Sequence, residues 1–527
     1  MKIRSLFLLT LLVLVALAAC APAPTATPVP PTAAPKPTEA PKPTEAPKPT
    51  VAPTVAPTTA PTVAPTTAAT VAATKPPAAA TNTAVPTATP RPPAVTAAPG
   101  AVKVNFWHHL SAPEQVDMIQ RFADEFNAKN PKYYIVPTFQ GTTSEMPKKV
   151  NAAITAGAIP DMVTGNPGDL LDYSVAGAMV ALDTYINDAT NGLDAATRDG
   201  MTFKLPNGQQ LFFDIAADGK IMGVSPSRSM EVMYYNIDML KAAGFNAAPT
   251  TWDDFDKICA AVTKGDNYCL ATNSPSVDTS AFAAWVLSRG GTYASNDEKK
   301  STFDEQAGID SLKWLKNGVD KGWFKNSTVT SRGDQTDFGL GKLAFTFGST
   351  AGLPFYNDAM AARKEGPFAW NVAPLPGGPK GKPTVTFFGP SIGIMKTTAD
   401  KQLGAWMFLK YILQPENQVE WAQRLVYFPA SKAARDAVLT LDPAKVAANN
   451  SRLGPVYNQY KNAAGFAPMG LREPVAPAWQ GVRGIIANML TAVYSGKTSA
   501  DFTATDPEAA AKEGVQRVNK SLDAYGK

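Results

Sequence analysis

VKVNFWHHLSAPEQVDMIQRFADEFNAKNPKYYIVPTF, residues 102–139, is the stretch that decides the fold. Its opening, Val102-Lys103-Val104-Asn105-Phe106, alternates apolar and polar side chains as a half-buried strand does. From Glu114 to Asn127 the period changes, and Val116, Ile119, Phe122 and Phe126 fall on one helical face. Tyr133 to Phe139 is strand-like again. Parallel strands need a crossover of a dozen or more residues, so strand, helix and strand at this spacing predict a βαβ unit and an α/β sheet. Further on, Thr251 followed by Asp254 predicts a capped helix start at Trp252, and helices are expected to dominate from Leu403 to the end.

Upstream of the sheet the chain has a different character. Lys2 and Arg4 precede an apolar run from Leu6 to Ala18 that is short for a membrane span, which predicts an export signal over residues 1–20. Leu17-Ala18-Ala19-Cys20 resembles the bacterial lipobox, so Cys20 is expected to carry the lipid after cleavage. Residues 21–100 hold no aromatic side chain and consist mainly of Ala, Pro, Thr and Val, with a repeated Pro-Lys-Pro-Thr-Glu-Ala. Such a segment cannot recover its ordering entropy by burial, which predicts a disordered tether. At ~3.1 Å per residue in polyproline II, eighty residues reach at most about 250 Å. The expected location is therefore the outer face of the cell membrane, anchored through Cys20.

The remaining 427 residues are too many for one ordinary core, so residues 101–527 are expected to form two lobes. Of 49 basic and 44 acidic residues, seven and two lie in the first hundred, leaving 42 of each in the folded part. That balance argues against nucleic acid as a partner. Cys259 and Cys269, the remaining cysteines of an exported chain, are expected to form a disulfide around a short loop.

Catalytic readings fail on their partners. Gly389-Pro390-Ser391-Ile392-Gly393 matches the Gly-x-Ser-x-Gly elbow of hydrolases, but the histidine should follow the serine, and His108 and His109 lie far upstream. With two histidines and neither Cys-x-x-Cys nor His-x-x-x-His, no metal site is expected. Gly496-Lys497-Thr498 has Thr491 where a phosphate loop needs glycine. Neither an enzyme nor a cofactor is predicted.

Eight short motifs occur in one order: Phe106-Trp107-His108, Phe126-Asn127, Ala156-Gly157-Ala158-Ile159-Pro160-Asp161, Tyr234-Tyr235-Asn236 with Ala242-Ala243-Gly244-Phe245, Pro249-Thr250-Thr251-Trp252, Gly341-Lys342-Leu343-Ala344, Pro374-Leu375-Pro376-Gly377-Gly378 and Pro415-Glu416-Asn417. In this order the chain resembles the extracellular solute-binding proteins of ABC importers, of the carbohydrate and glycerol-phosphate type. The resemblance implies a periplasmic-binding-protein-like α/β fold, two lobes joined by a multi-strand hinge and a helical C-terminal region. It implies lobe one over about 101–222 and 348–396, and lobe two over about 223–347 and 397–527. It further implies a monomer that closes on a small-molecule solute and delivers it to an ABC permease, or, as an alternative, reports it to a sensor kinase.

Residue by residue, the resemblance to glycerol-3-phosphate binders puts ligand contacts at Ser229, Ser349, Gly389, Tyr427 and Arg483, with Ser391 two residues beyond the glycine. Arg483 matters most, since a guanidinium offers a planar fork of donors to phosphate or carboxylate; the alternative is a salt bridge. Trp107 and Tyr234 are candidate aromatics for stacking on a sugar ring, or else core residues. The family's polyol-end residues are replaced: Thr143 stands for a tyrosine, Pro167 for a glutamate, Pro275 and Asp278 for two tryptophans. The expected ligand is accordingly a sugar, an oligosaccharide or a glycerol phosphodiester.

Overall fold

The computed structural model describes residues 95–216, 218–272, 275–295, 298–326, 333–448, 451–474 and 478–525; the expected leader, Cys20 and the tether up to residue 94 lie outside them. The βαβ unit forms as its pattern dictates. Strands Val102–His108 and Tyr133–Phe139 pair in parallel around the helix Pro113–Lys129, which buries Ile119, Phe122 and Phe126 and leaves Val116, in its first turn, 37% exposed. Asn127 explains its place beside Phe126. Its amide donates to the Ile135 carbonyl at 3.1 Å and accepts from the Ile135 N–H at 2.7 Å, as a strand neighbour would, and so fixes the helix to the sheet.

Two six-stranded sheets carry the fold. The first runs in the order Tyr133–Phe139, Val102–His108, Met162–Gly165, Ser391–Ile394, Ile221–Val224, Phe213–Ile215, parallel on its first three strands and antiparallel beyond. The second is built on the ten-residue strand Ser227–Asn236, which pairs antiparallel with Trp370–Ala373, Val385–Phe388, Phe345–Ser349 and Phe428–Pro429; Gly470–Arg472 adds in parallel to Val385–Phe388. A small parallel pair, Leu270–Thr272 with Phe324–Asn326, lies apart from both.

Sheet membership draws the lobes differently from expectation. The three strands within residues 345–388 all belong to the second sheet, not to lobe one. The helix Ala399–Ile412 packs on Val102–His108, not in lobe two. Gly404 permits that contact, since a Cβ there would come within 2.6 Å of the Tyr133 ring and 2.9 Å of Val104. By sheet, lobe one comprises residues 102–224 and 391–425, lobe two 227–388 and 428–525, and the chain crosses at 225–226, 389–390 and 426–427. The physical reason is the central strand: its ladder partners lie more than a hundred residues away in sequence, and no local pattern encodes that pairing.

Local signals hold elsewhere. Thr251 caps the helix Trp252–Val262, its hydroxyl accepting from the Asp254 N–H at 3.1 Å. Cys259, on that helix, is bonded to Cys269, and both are fully buried. Closing so short a loop removes entropy from the unfolded chain worth about 2–3 kcal/mol. The variant with both cysteines changed to alanine should lose about that much stability in a denaturant titration.

Candidate functional site

The polypeptide passes between lobes through a polar knot. Arg228, at the start of the central strand of lobe two, has its guanidinium buried to 3% exposure and paired at 2.7 Å with Asp214 of lobe one, which is fully buried. The same side chain donates to the Leu211 carbonyl at 3.1 Å and to the Gly389 carbonyl, tying residues 211–214, the central strand and the second crossing to one charge. The single Ser225 hydroxyl hydrogen is shared between the Ser227 and Pro390 carbonyls, 2.5 and 2.9 Å away. Gly389 has φ of +133°, a region open to glycine, and a Cβ added there would lie 3.7 Å from the Ser229 backbone nitrogen and from the Tyr427 ring. The Ser229 hydroxyl hydrogen-bonds the Tyr427 phenol and donates to the Phe388 carbonyl at 3.2 Å. Ser229, Gly389 and Tyr427 are thus brought together at the hinge.

Beside this knot lies a cavity of about 60 Å³ between the lobes. From lobe one come Asn166, Pro167 and Asp169, at the start of the helix Pro167–Val175, and Leu211; lobe two supplies Arg228, Phe387, Phe388, Arg472, Glu473, Trp479 and Arg483, and the second crossing supplies Gly389. Asp169 is held as a capping residue, accepting from the Asn166 N–H at 3.0 Å. A smaller hollow of about 10 Å³ continues along lobe one past Thr143 and His109, whose Nδ1 sits 2.7 Å from Thr164 Oγ1. Burial holds His109 well below the ordinary histidine range, at about 4, so it is neutral.

Each of the three arginines lining the cavity has its own carboxylate. Arg228 has Asp214; Arg472 lies 3.6 Å from Glu298; Arg483 is 2.5 Å from Glu473. Glu473 also accepts from the Trp479 indole at 3.3 Å, and Trp479 and Arg483 stand four residues apart on one face of the helix Trp479–Ser495. Burial alone would pull the Arg483 pKa down, but Glu473, with further help from Tyr293 and the buried Glu231, holds it above its ordinary value. The cavity wall is therefore rich in hydrogen-bonding groups yet balanced in charge.

Polar contacts join the two rims. Gln209 of lobe one donates to Glu298 at 2.5 Å and accepts from Arg472 at 3.2 Å. Asp172, on the cavity helix of lobe one, accepts from the Ala478 N–H at 2.7 Å and so caps the helix Trp479–Ser495 from the other lobe. Burial pushes the Asp172 carboxyl up to about 6, the Ala478 N–H pulls the other way, and Asp169 adds to the rise. Because the folded form holds this proton more tightly than an unfolded chain does, stability conferred by Asp172 is present below its ordinary value near 4 and is lost as pH rises to about 6. In Asp172→Asn, whose amide oxygen keeps the bond, the melting temperature should lack the fall that the parent shows over that window.

The remaining expected contacts sit elsewhere. Tyr234 is fully buried and packs on Tyr356 at 4.0 Å and Trp370 at 5.9 Å, its hydroxyl spent on the Ser349 carbonyl at 2.6 Å. It is a core residue of lobe two, not a cleft aromatic, because it shares a strand face with Met230 and Val232. Ser349 caps the short turn Thr350–Gly352, and neither residue lines the cavity. Trp107 packs partly buried against the Met146, Val163 and Leu170 cluster of lobe one. Ser391 is fully buried in the first sheet, and its hydroxyl meets no histidine. Among the described residues, no group of His, Cys, Asp and Glu is placed to hold a metal ion. Sequence reasoning missed Asp214, Arg228, Glu473 and Trp479; the signals at hand were the four-residue spacing of Trp479 and Arg483 and the position of Glu473 directly after Gly470-Leu471-Arg472.

Comparison with known proteins agrees with this architecture. Residues 121–450 match a family model described as bacterial extracellular solute-binding protein. The chain is 25% identical over 457 residues to the sn-glycerol-3-phosphate-binding periplasmic protein UgpB of Escherichia coli, covering 82% of this chain and 94% of that protein. Its fold is shared with the cyclic alpha-maltosyl-1,6-maltose binding protein of Arthrobacter globiformis (19% identity, TM-score 0.62, 81% of this chain and all of that one). UgpB of Mycobacterium tuberculosis, solved in complex with glycerophosphocholine, is similar too (21% identity, TM-score 0.63, the same coverage).

Proposed function

The chain belongs to the bacterial extracellular solute-binding proteins, and on that premise we propose that it captures a polyhydroxylated solute without net negative charge, a sugar, an oligosaccharide or a zwitterionic glycerol phosphodiester, between its lobes and passes it to an ABC permease. The charge-matched arginines carry this reading. A site for an anion presents a guanidinium whose charge is unmatched, whereas here Glu473 already offsets the charge of Arg483 at 2.5 Å. Carboxylate, guanidinium and indole together suit hydroxyl groups and the face of a sugar ring.

A cavity of about 60 Å³ holds a few waters, while small-molecule sites usually exceed ~300 Å³. Entry of such a solute therefore requires the lobes to part about the three crossings, and a solute that fits the closed form better shifts the population towards it. In this reading the lipidated Cys20 and the tether hold the receptor outside the membrane, where it works as a monomer.

A thermal-shift series tests it. Maltose, maltotriose or glycerophosphocholine should raise the melting temperature, because a ligand that binds only the folded form stabilises it. Glycerol 3-phosphate should not. A shift with glycerol 3-phosphate alone would overturn the proposed ligand class.

A further inference from the structure

We infer that the chain carries a second ligand pocket, behind the hinge and distinct from the interlobe cleft, which takes a single uncharged aromatic ring or a branched alkyl group of similar size. The cavity measures about 230 Å³. Its floor is made of Leu211, Phe212, Phe387, Phe428 and Tyr460, all nearly or fully buried. Leu211 and Phe387 also face the cleft cavity, so the two hollows stand back to back through one layer of side chains.

Size and charge together choose the occupant. An apolar cavity of about 150 Å³ stays dry and admits benzene, whereas drug-sized ligands need ~300 Å³ or more. A volume between these limits fits one ring and excludes an oligosaccharide or a partner helix. The polar groups at hand are already engaged: the Tyr460 hydroxyl donates to the Tyr427 carbonyl at 3.1 Å. At the rim, Arg435 donates to the carbonyls of Pro429 at 3.2 Å, Ala430, and Gly200 at 3.3 Å, and its guanidinium lies 5.4 and 5.6 Å from the rings of Phe203 and Phe212. Asp436 beside it is paired with Lys432 at 2.5 Å. Arg435 is held by three backbone carbonyls and Asp436 by Lys432, while the floor offers an ion no charged or free polar partner, so an uncharged group is the one that gains by entering. Burial of a ring against five aromatic side chains supplies the favourable term.

The walls come from both lobes at the points where the chain crosses. Leu211 and Phe212 belong to lobe one, Phe387 precedes the second crossing and Phe428 follows the third, and the Leu211 carbonyl holds Arg228. Parting of the lobes must change the shape of such a cavity, so an occupant favours whichever arrangement fits it. This coupling rests on the lobe-closure reading; the pocket itself does not.

Fluorobenzene titrated into the full chain, followed by ¹⁹F and methyl NMR, tests both parts. The expected result is saturable binding that shifts the Leu211 and Leu439 methyl signals, is lost in Ala464→Trp, which fills the cavity from its wall, and slows amide exchange at Ser225, Ser227, Phe388, Gly389 and Ser391. The methyl map of the parent protein decides the matter even if that variant does not fold. Absence of saturable binding, or shifts confined to other methyls, would overturn the pocket. Saturable binding at these methyls with unchanged exchange at the crossings would overturn its coupling to the hinge.

Discussion

Asp214→Ala is expected to destabilise the folded domain by roughly 3–5 kcal/mol, the usual cost of removing one partner from a buried ion pair. The pair is as enclosed as any ion pair among the described residues, with side-chain exposures of 3% for Arg228 and 0% for Asp214. Burial already pulls the Arg228 pKa below its ordinary value, with Asp214 opposing that fall and Arg472 adding to it. Without Asp214 a guanidinium would remain buried against the Leu211 and Gly389 carbonyls, at the point where the chain passes from one lobe to the other. Replacing both members, Asp214→Leu with Arg228→Met, should restore much of the loss, since an apolar pair of similar volume leaves no buried charge unmatched. Chemical denaturation of the three proteins reads the effect. A loss below about 1 kcal/mol in the single variant would match a surface pair and contradict the buried one described here.

The second large effect is expected at Arg483. Arg483→Met leaves Glu473, 10% exposed, without its cation and should weaken binding of the solute that gives the largest thermal shift by about 30-fold or more, corresponding to the 2 kcal/mol or more typical of truncating a desolvated charge pair. Glu473→Gln makes the converse prediction. It frees the guanidinium while keeping a group to accept from Trp479, so affinity for the native solute should fall and glycerol 3-phosphate should begin to bind. Calorimetric titration of both variants measures this. If Glu473→Gln gains no affinity for the anion while Arg483→Met binds the native solute as the parent does, the matched pair does not set the ligand class.

Much of the architecture was legible because its signals are local. The change from period two to period 3.6 and back over residues 102–139 is written in the side chains, and the Thr251 cap depends on one hydroxyl three residues from its partner. The lobe boundaries were not legible. Phe345–Ser349 and Val385–Phe388 look like strands of any sheet, and only their ladder with Ser227–Asn236 assigns them to lobe two. Resemblance located Gly389, Ser229, Tyr427 and Arg483, which meet at the hinge or the cavity, but it brought Ser349 along with them, and the search for a stacking aromatic added Tyr234. Alternation along the central strand would have corrected Tyr234, since Met230 and Val232 share its face and face the core. Asp214 and Glu473 gave no such hint. A carboxylate acquires its role from the arginine that the fold brings to it, and that arginine is fourteen residues away for one and ten for the other, spacings with no local pattern of their own.

The account rests on lobes that part and close about three crossings, and a distance across the cleft tests that most directly. With one spin label at the exposed Val175 of lobe one and another at Met469 of lobe two, pulsed electron resonance should show a broad or two-population distance distribution in the free protein. At saturating solute it should collapse to the shorter distance. One distribution, the same with and without solute in a sample where binding is demonstrated, would contradict it.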